Sequence, residues 1–202
     1  MSNNTFLCGS DYKIIYPAFS QKIKYSEIYN SDEQTYLESA GCIPLLWILL
    51  FKSEDFVTET FITEEGNVTV SAPVVEREIA ISRIRKDEEF VKSLFNDNGN
   101  LSYYIDLFVN HLESNPKFKY ISLELQEIEW LYEEGYILEL LKTTLNQLNN
   151  HDIKGKEGLI ELTTVLIDRE FRKLTDEGNE IQDFWNFFRI MGDGFIRETE
   201  WS

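Results

Sequence analysis

The sequence predicts a single α+β domain over residues 1–202, with a small antiparallel sheet packed against about six helices. Two observations indicate the sheet: β-rich segments flank a short turn near residues 56–72, and apolar side chains alternate over 118–125. A third observation indicates a helical C-terminal half, because leucine, isoleucine and aromatic residues recur there every three or four positions. No internal repeat or linker-like stretch requires a second domain.

The N-terminal third is predicted to contain irregular structure followed by one buried helix. Residues 12–29 mix β-branched and aromatic side chains, and Pro17 prevents a continuous helix, so we expect irregular or edge-strand structure. Pro44 is tolerated in the first turn of a helix. Residues 45–51 would then form a helix that is apolar on nearly all sides, which places it in the core.

The clearest β element is a hairpin. Residues 56–62 and 67–72 are rich in valine, threonine, phenylalanine and isoleucine, and a four-residue turn ending in Gly66 separates them. After Pro73 the apolar residues move to near-helical spacing, and this second pattern predicts a helix up to the turn-prone stretch at 96–100.

The second half alternates one strand with helices. Asn100 can cap a helix whose apolar stripe ends before Pro116, and residues 118–125 are predicted to form the third strand, with Ile121, Leu123 and Leu125 on one face. Three further helical segments are predicted at 126–149, 157–174 and 180–190.

The charge of the chain excludes several classes of function. There are 36 acidic and 19 basic residues, so the formal net charge is −17. Attachment to nucleic acid or to an anionic membrane would have to overcome repulsion, and neither is predicted. A chain with 43% apolar and 14% aromatic residues is also too hydrophobic to be a disordered acidic tail.

Several features favour a cytoplasmic protein. The longest apolar run, residues 43–51, is far shorter than the roughly 20 residues that cross a bilayer, and the N-terminus lacks the pattern of a signal peptide. Cys8 and Cys42 form neither a disulfide framework nor a CxxC motif. We expect two free thiols, with one bridge as the alternative.

No metal site, cofactor site or catalytic residue is predicted. Phe108 and Leu148 stand three residues before His111 and His151, where a di-iron helix bundle would carry glutamate, so surface histidines are expected. Phosphate-binding glycine loops and a GxSxG nucleophile motif are absent from the sequence, and residues 191–198 contain only a GxG turn. The abundant carboxylates leave acid/base pairs open, because such pairs are invisible without geometry.

One local feature stands above the background. Between Lys119 and Lys142 there are six glutamates and no basic residue. If residues 127–134 are helical, Trp130 lies opposite the apolar side of that helix, among the glutamates. The candidate partner-binding residues are therefore Glu127, Glu129, Trp130, Glu133 and Glu134. Core packing of Trp130 is the alternative, and the usual burial of tryptophan favours it.

Two classes of function follow. The first is a noncatalytic acidic protein that binds a basic protein partner, most concretely a bacterial immunity or inhibitor protein that neutralises a cationic toxin, or a DNA mimic that occupies a basic groove. The alternative is an enzyme or a small-ligand protein with carboxylates and aromatic side chains around a pocket. The candidate aromatic residues are Tyr103, Tyr104, Trp130 and Trp185. A deep pocket with converging carboxylates would favour the second class, and a shallow acidic surface with a central aromatic the first.

Overall fold

A five-stranded antiparallel sheet is the central element of the protein. The computed structural model describes residues 4–11, 13, 15, 36–63, 66–95, 100–114, 118–164 and 189–192. The strands are β1 (Asn4–Ser10), β2 (Tyr36–Ala40), β3 (Phe56–Thr63), β4 (Gly66–Glu76) and β5 (Tyr120–Glu124). Their order is β2-β1-β5-β4-β3, and each neighbouring pair is antiparallel. The α+β prediction is confirmed.

The predicted hairpin and third strand are both present, and the sheet is larger than expected. In the hairpin, Phe56 pairs with Pro73 and Thr63 with Gly66. The change from strand to helix was expected directly after Pro73. Strand β4 instead continues to Glu76 and pairs with β5 there. Strands β1 and β2 were not predicted. Of the irregular segment predicted at 12–29, only residues 13 and 15 are described.

The helices follow the sequence patterns, with three differences. They are α1 (Leu45–Ile48), α2 (Arg77–Leu94), α3 (Asn100–Ser114), α4 (Gln126–Glu129), α5 (Tyr136–Asn149) and α6 (Gly155–Thr163), with a 3-10 turn at Ser53–Asp55. The buried helix predicted at 45–51 is shorter than expected, ending at Ile48. The helix predicted over 126–149 is two helices, α4 and α5, separated by a turn. The helix predicted from 157 begins at Gly155, and residues 165–188 lie outside the described structure.

The main core lies between one face of the sheet and the helices. Strand residues such as Leu7 and Leu123 pack in the same cluster as Trp47 of α1 and Leu141 of α5. The peptide N–H of Ile43 donates to the Leu162 carbonyl at 3.2 Å, which ties the start of the buried apolar run to α6. Within the described residues, no helix is long and apolar enough to span a membrane.

The close packing of α5 against α6 gives a first prediction. A Cβ placed on Gly158 would lie 2.0 Å from Oγ1 of Thr144, which is itself buried. Although alanine is a better helix former by about 1 kcal/mol, we expect Gly158→Ala to lower the free energy of unfolding by about 1 to 3 kcal/mol through overpacking. Urea unfolding measures this change.

The neighbouring Glu157 supplies the control for that prediction. Its side chain is exposed, so Glu157→Ala should change stability by less than about 0.5 kcal/mol. Combining Gly158→Ala with Thr144→Ala should recover part of the loss, because the second change removes the side chain that clashes. A Gly158→Ala protein more stable than wild type would show that the two helices can separate freely.

Candidate functional site

The acidic stretch singled out in the sequence forms a helix and a turn. Helix α4 ends at Glu129, so the continuous helix expected over 127–134 is wrong. The N–H groups of Leu131 and Tyr132 donate to carbonyls three residues back, at 3.0 and 3.2 Å. Gly135 has a φ of +83° at the start of α5. This left-handed conformation suits glycine, and it lets the chain change direction between the two helices.

The side chain of Glu129, the last residue of α4, contacts the next helix. Its Oε2 accepts a hydrogen bond from the peptide N–H of Leu138 at 3.1 Å. The N–H groups at the start of a helix lack partners within that helix, and a carboxylate there stabilises them. Burial raises the pKa of Glu129, although hydrogen bonds from the backbone of Leu138, Gly135 and Ile137 oppose the rise. Glu129 is therefore a helix cap and is only half-exposed.

Glu127 also has an internal partner. Its Oε2 accepts a hydrogen bond from the peptide N–H of Asn4 at 2.9 Å, which links α4 to the first residue of β1. The two residues are 123 positions apart in the chain. The structure thus places two of the predicted partner-binding glutamates, Glu127 and Glu129, in contacts that hold the acidic turn in position.

Trp130 lies on the surface of this turn. Its side chain is 59% exposed, whereas Ile128, two residues earlier, is fully buried. The expectation that Trp130 packs in the core is therefore wrong. Trp130 directly follows the last residue of α4, and the buried side of this short helix carries Ile128.

The neighbours of Trp130 complete an exposed patch of mixed apolar and acidic character. Leu131 is 41% exposed and Tyr136 is 42% exposed, while Glu133 and Glu134 are also on the surface. We call the surface formed by Trp130, Leu131, Glu133, Glu134 and Tyr136 the 130–136 patch. It holds three of the large exposed apolar side chains found in the described part of the chain.

The aromatic side of the 130–136 patch is held by contacts to the rest of the fold. The ring of Tyr136 stacks on that of Tyr132, with centroids 5.5 Å apart and an interplanar angle of 17°. The Tyr136 hydroxyl donates a hydrogen bond to Glu161 of α6. These contacts orient the Tyr136 ring, so little side-chain freedom would be lost if another molecule bound there.

Within the part of the chain that the structure describes, the two glutamates of the patch have no basic partner. Glu139, one turn into α5, pairs with Lys142 at 3.2 Å. Neither Glu133 nor Glu134 forms an ion pair with any residue that the structure describes. A surface of this kind presents apolar area and negative charge together.

The structure describes three of the four aromatic residues predicted to surround a pocket in the alternative function. Tyr103 and Tyr104 lie on α3 with ring centroids 5.6 Å apart, and Trp130 lies on the turn after α4. Trp185 falls outside the described residues. A small pocket elsewhere is lined mainly by apolar side chains, with Cys8 and Arg77 as its polar members, and it contains no carboxylate. Arg77 donates to the carbonyls of Phe118 and Leu112, at 3.2 and 2.9 Å.

Glu124 is a buried carboxylate that the sequence analysis missed. Its side chain is 5% exposed, and Oε1 accepts a hydrogen bond from the Gln126 N–H at 2.8 Å. Oε2 has no hydrogen-bond partner among the described residues. Burial, with a smaller contribution from Glu127, raises the pKa of Glu124 to about 8. Alternation along β5 had indicated only the face with Ile121 and Leu123, and no sequence signal shows that the opposite face is also buried.

The histidines and cysteines form no metal or disulfide site within the described residues. No group of three or more His, Cys, Asp or Glu side chains there could hold a metal ion. No disulfide joins Cys8 to Cys42, in agreement with the predicted pair of thiols. Burial, and secondarily Glu124, raises the pKa of Cys8 above its ordinary value, which disfavours the reactive thiolate. His151 is exposed in the turn after α5, as expected, whereas His111 is half-buried.

Comparisons with models of protein families, with curated proteins and with solved structures found no match for this chain.

Proposed function

We propose that this chain is a noncatalytic binding protein whose 130–136 patch docks a basic protein partner. The observation that supports this most directly is the 59% exposure of Trp130 in a stretch with six glutamates and no basic residue. Tryptophan and tyrosine supply much of the binding energy at interfaces, and flanking charges accelerate the encounter with a partner of opposite sign.

The most concrete form of this proposal is a cytoplasmic immunity or inhibitor protein. A net charge of −17 would attract a cationic toxin or the basic groove of a nucleic-acid enzyme, and two free thiols suit a reducing compartment. Blocking a basic active site needs no catalytic group from the inhibitor. Because Glu127 and Glu129 already accept hydrogen bonds from other parts of the chain, we assign direct partner contact to Trp130, Glu133, Glu134 and their apolar neighbours.

The first test of this proposal reverses the charge of the two exposed glutamates of the patch, Glu133 and Glu134. The partner is first captured from the native cell with the wild-type chain and identified, and binding rates are then measured with the purified pair. We expect the double variant Glu133→Lys/Glu134→Lys to slow association about tenfold at low salt, because it replaces attraction with repulsion at the patch. The difference should shrink as salt shortens the range of the field to about 8 Å.

A matched control separates local from global charge. Glu78 and Glu113 are exposed on α2 and α3, so Glu78→Lys/Glu113→Lys changes the net charge by the same amount away from the patch. This control should retain most of the wild-type association rate. Equal rates for the two double variants would show that the partner responds only to net charge and that the 130–136 patch is not its docking site.

Trp130→Ala tests the packing part of the same proposal. Loss of an interface anchor should cost about 2 kcal/mol or more and should appear mainly as faster dissociation, roughly 30-fold. Because Trp130 is mostly exposed, its removal should leave the thermal midpoint within about 2 °C of wild type. Unchanged dissociation of the folded variant would remove Trp130 from the interface.

A further inference from the structure

The 130–136 patch combines two chemical features that one kind of basic side chain can satisfy together. Aromatic rings are exposed at Trp130 and Tyr136, and exposed carboxylates lie between them in the chain at Glu133 and Glu134. A ring face attracts a cation through its π electrons, and a carboxylate attracts it through charge and hydrogen bonding. A cation bound here would meet both within one short turn of the chain.

Arginine fits this combination better than lysine does. Its guanidinium group is planar, is more weakly hydrated than an ammonium, stacks on aromatic faces and donates paired hydrogen bonds to a carboxylate. The lysine ammonium is a compact and strongly hydrated charge that has no planar group to stack on a ring, so a ring favours it less than a guanidinium group. A surface of carboxylates alone would bind either side chain, whereas aromatic faces beside the carboxylates favour arginine.

The ring of Tyr136 and the backbone of Trp130 are held in place before any partner arrives. Tyr136 is stacked on Tyr132 and hydrogen-bonded to Glu161, and these contacts come from the turn, α5 and α6. Trp130 is placed by the end of α4, where its peptide N–H donates to the Gln126 carbonyl at 3.1 Å. Preorganised aromatic faces reduce the entropy lost on binding, which increases the advantage of a side chain that can stack on them.

We infer that the partner presents an arginine side chain to the 130–136 patch, where its guanidinium group stacks on an exposed ring of Trp130 or Tyr136 and pairs with Glu133 or Glu134. This inference rests on the proposed function and narrows it. The partner class is then a protein whose basic docking surface carries arginine, and a surface that carries only lysine would bind more weakly.

Two peptides of equal charge test the inference without knowledge of the partner. One alternates five arginines with glycine, and the other alternates five lysines with glycine. Each is titrated into the full chain at low salt, and the amide and indole N–H signals are followed by NMR, with Trp130 assigned through Trp130→Phe. We expect the arginine peptide to shift the Trp130 indole signal and to bind at least fivefold more tightly than the lysine peptide.

Variants of the patch show where the preference originates. Trp130→Ala should reduce the preference for arginine to less than twofold, and Glu133→Gln/Glu134→Gln should weaken both peptides without unfolding the chain. The matched control Glu78→Gln/Glu113→Gln should retain the preference. Equal affinities for the two peptides, a preference that survives Trp130→Ala, or no shift of Trp130 with either peptide would each overturn the inference.

The outcomes also separate this inference from the proposed function. Suppose that the cognate partner needs Trp130 and Glu133/Glu134 for binding, but the two peptides bind equally. Docking at the patch would then stand and the arginine preference would fail. Partner binding that is unaffected by every variant of the patch would instead overturn the proposed function itself.

Discussion

Trp47→Ala is expected to lower the free energy of unfolding by about 3 to 5 kcal/mol, because it removes a large side chain from the core and leaves a cavity. Trp47 is fully buried on α1. Its indole N–H donates to the Met191 carbonyl at 3.1 Å, across 144 positions of the chain. Gly192, with a φ of +88°, lies so close that a Cβ there would be 2.8 Å from the Trp47 ring.

Urea unfolding followed by circular dichroism measures this loss, and Trp47→Phe is the matched control. Phenylalanine keeps most of the apolar volume but cannot donate to Met191, so its cost should be smaller, about 1 to 3 kcal/mol. The free energy of unfolding should therefore decrease from wild type to Trp47→Phe and again from Trp47→Phe to Trp47→Ala. A Trp47→Ala protein that melts within a degree or two of wild type would contradict the placement of α1 in the core.

The second large effect is a dependence of stability on pH that comes from Glu124. Burial raises its pKa in the folded protein to about 8, from an ordinary value of 4.5. Between these values the folded protein holds a proton that the unfolded chain releases, so stability must fall as pH rises through this window. At about 1.4 kcal/mol for each unit of pKa, the loss amounts to several kcal/mol by pH 8.

Glu124→Gln should remove most of this slope. Glutamine can keep the oxygen that accepts from the Gln126 N–H, and it has no charge to bury. The variant should match wild type near pH 5 and exceed it in stability at pH 8 to 9. Urea unfolding at pH 5, 6, 7, 8 and 9 measures both curves.

A control is needed because the chain is strongly acidic, and general repulsion also changes with pH. Glu113→Gln removes an equal charge from an exposed position on α3 and should leave the slope almost unchanged. Identical slopes for wild type and Glu124→Gln would show that Glu124 titrates near its ordinary pKa and that water reaches its carboxylate.

Patterns confined to a few consecutive residues were sufficient to predict several helices and strands of this protein. The turn ending in Gly66 between two β-rich segments predicted the β3–β4 hairpin, and the stripe after Asn100 predicted α3. The all-apolar run around Trp47 predicted a core helix, although that helix proved shorter. The hairpin is marked by its turn and α3 by its apolar stripe, whereas α1 is apolar on all sides and all four of its residues are buried.

The candidate site was located by the sequence but shaped by contacts that the sequence does not display. The run of glutamates around Trp130 marked the region, yet periodicity suggested one helix where the structure has α4, a turn and α5. Glu129, the last residue of the first helix, accepts a hydrogen bond from the first turn of the second, and Glu127 accepts one from Asn4 of β1. These partners divide the predicted partner-binding set into residues that hold the turn and residues that face solvent.

Composition and local spacing, then, established the α+β class, the acidity and the core position of Trp47. Tertiary structure alone decided that Trp130 is exposed and that Glu124 is buried. The physical reason is that local spacing shows which side of a segment is apolar, whereas the burial of its other side depends on residues far away in the chain. Glu124 illustrates this: its strand alternates as a half-exposed strand would, yet Phe6, its partner in the register with β1, is also buried.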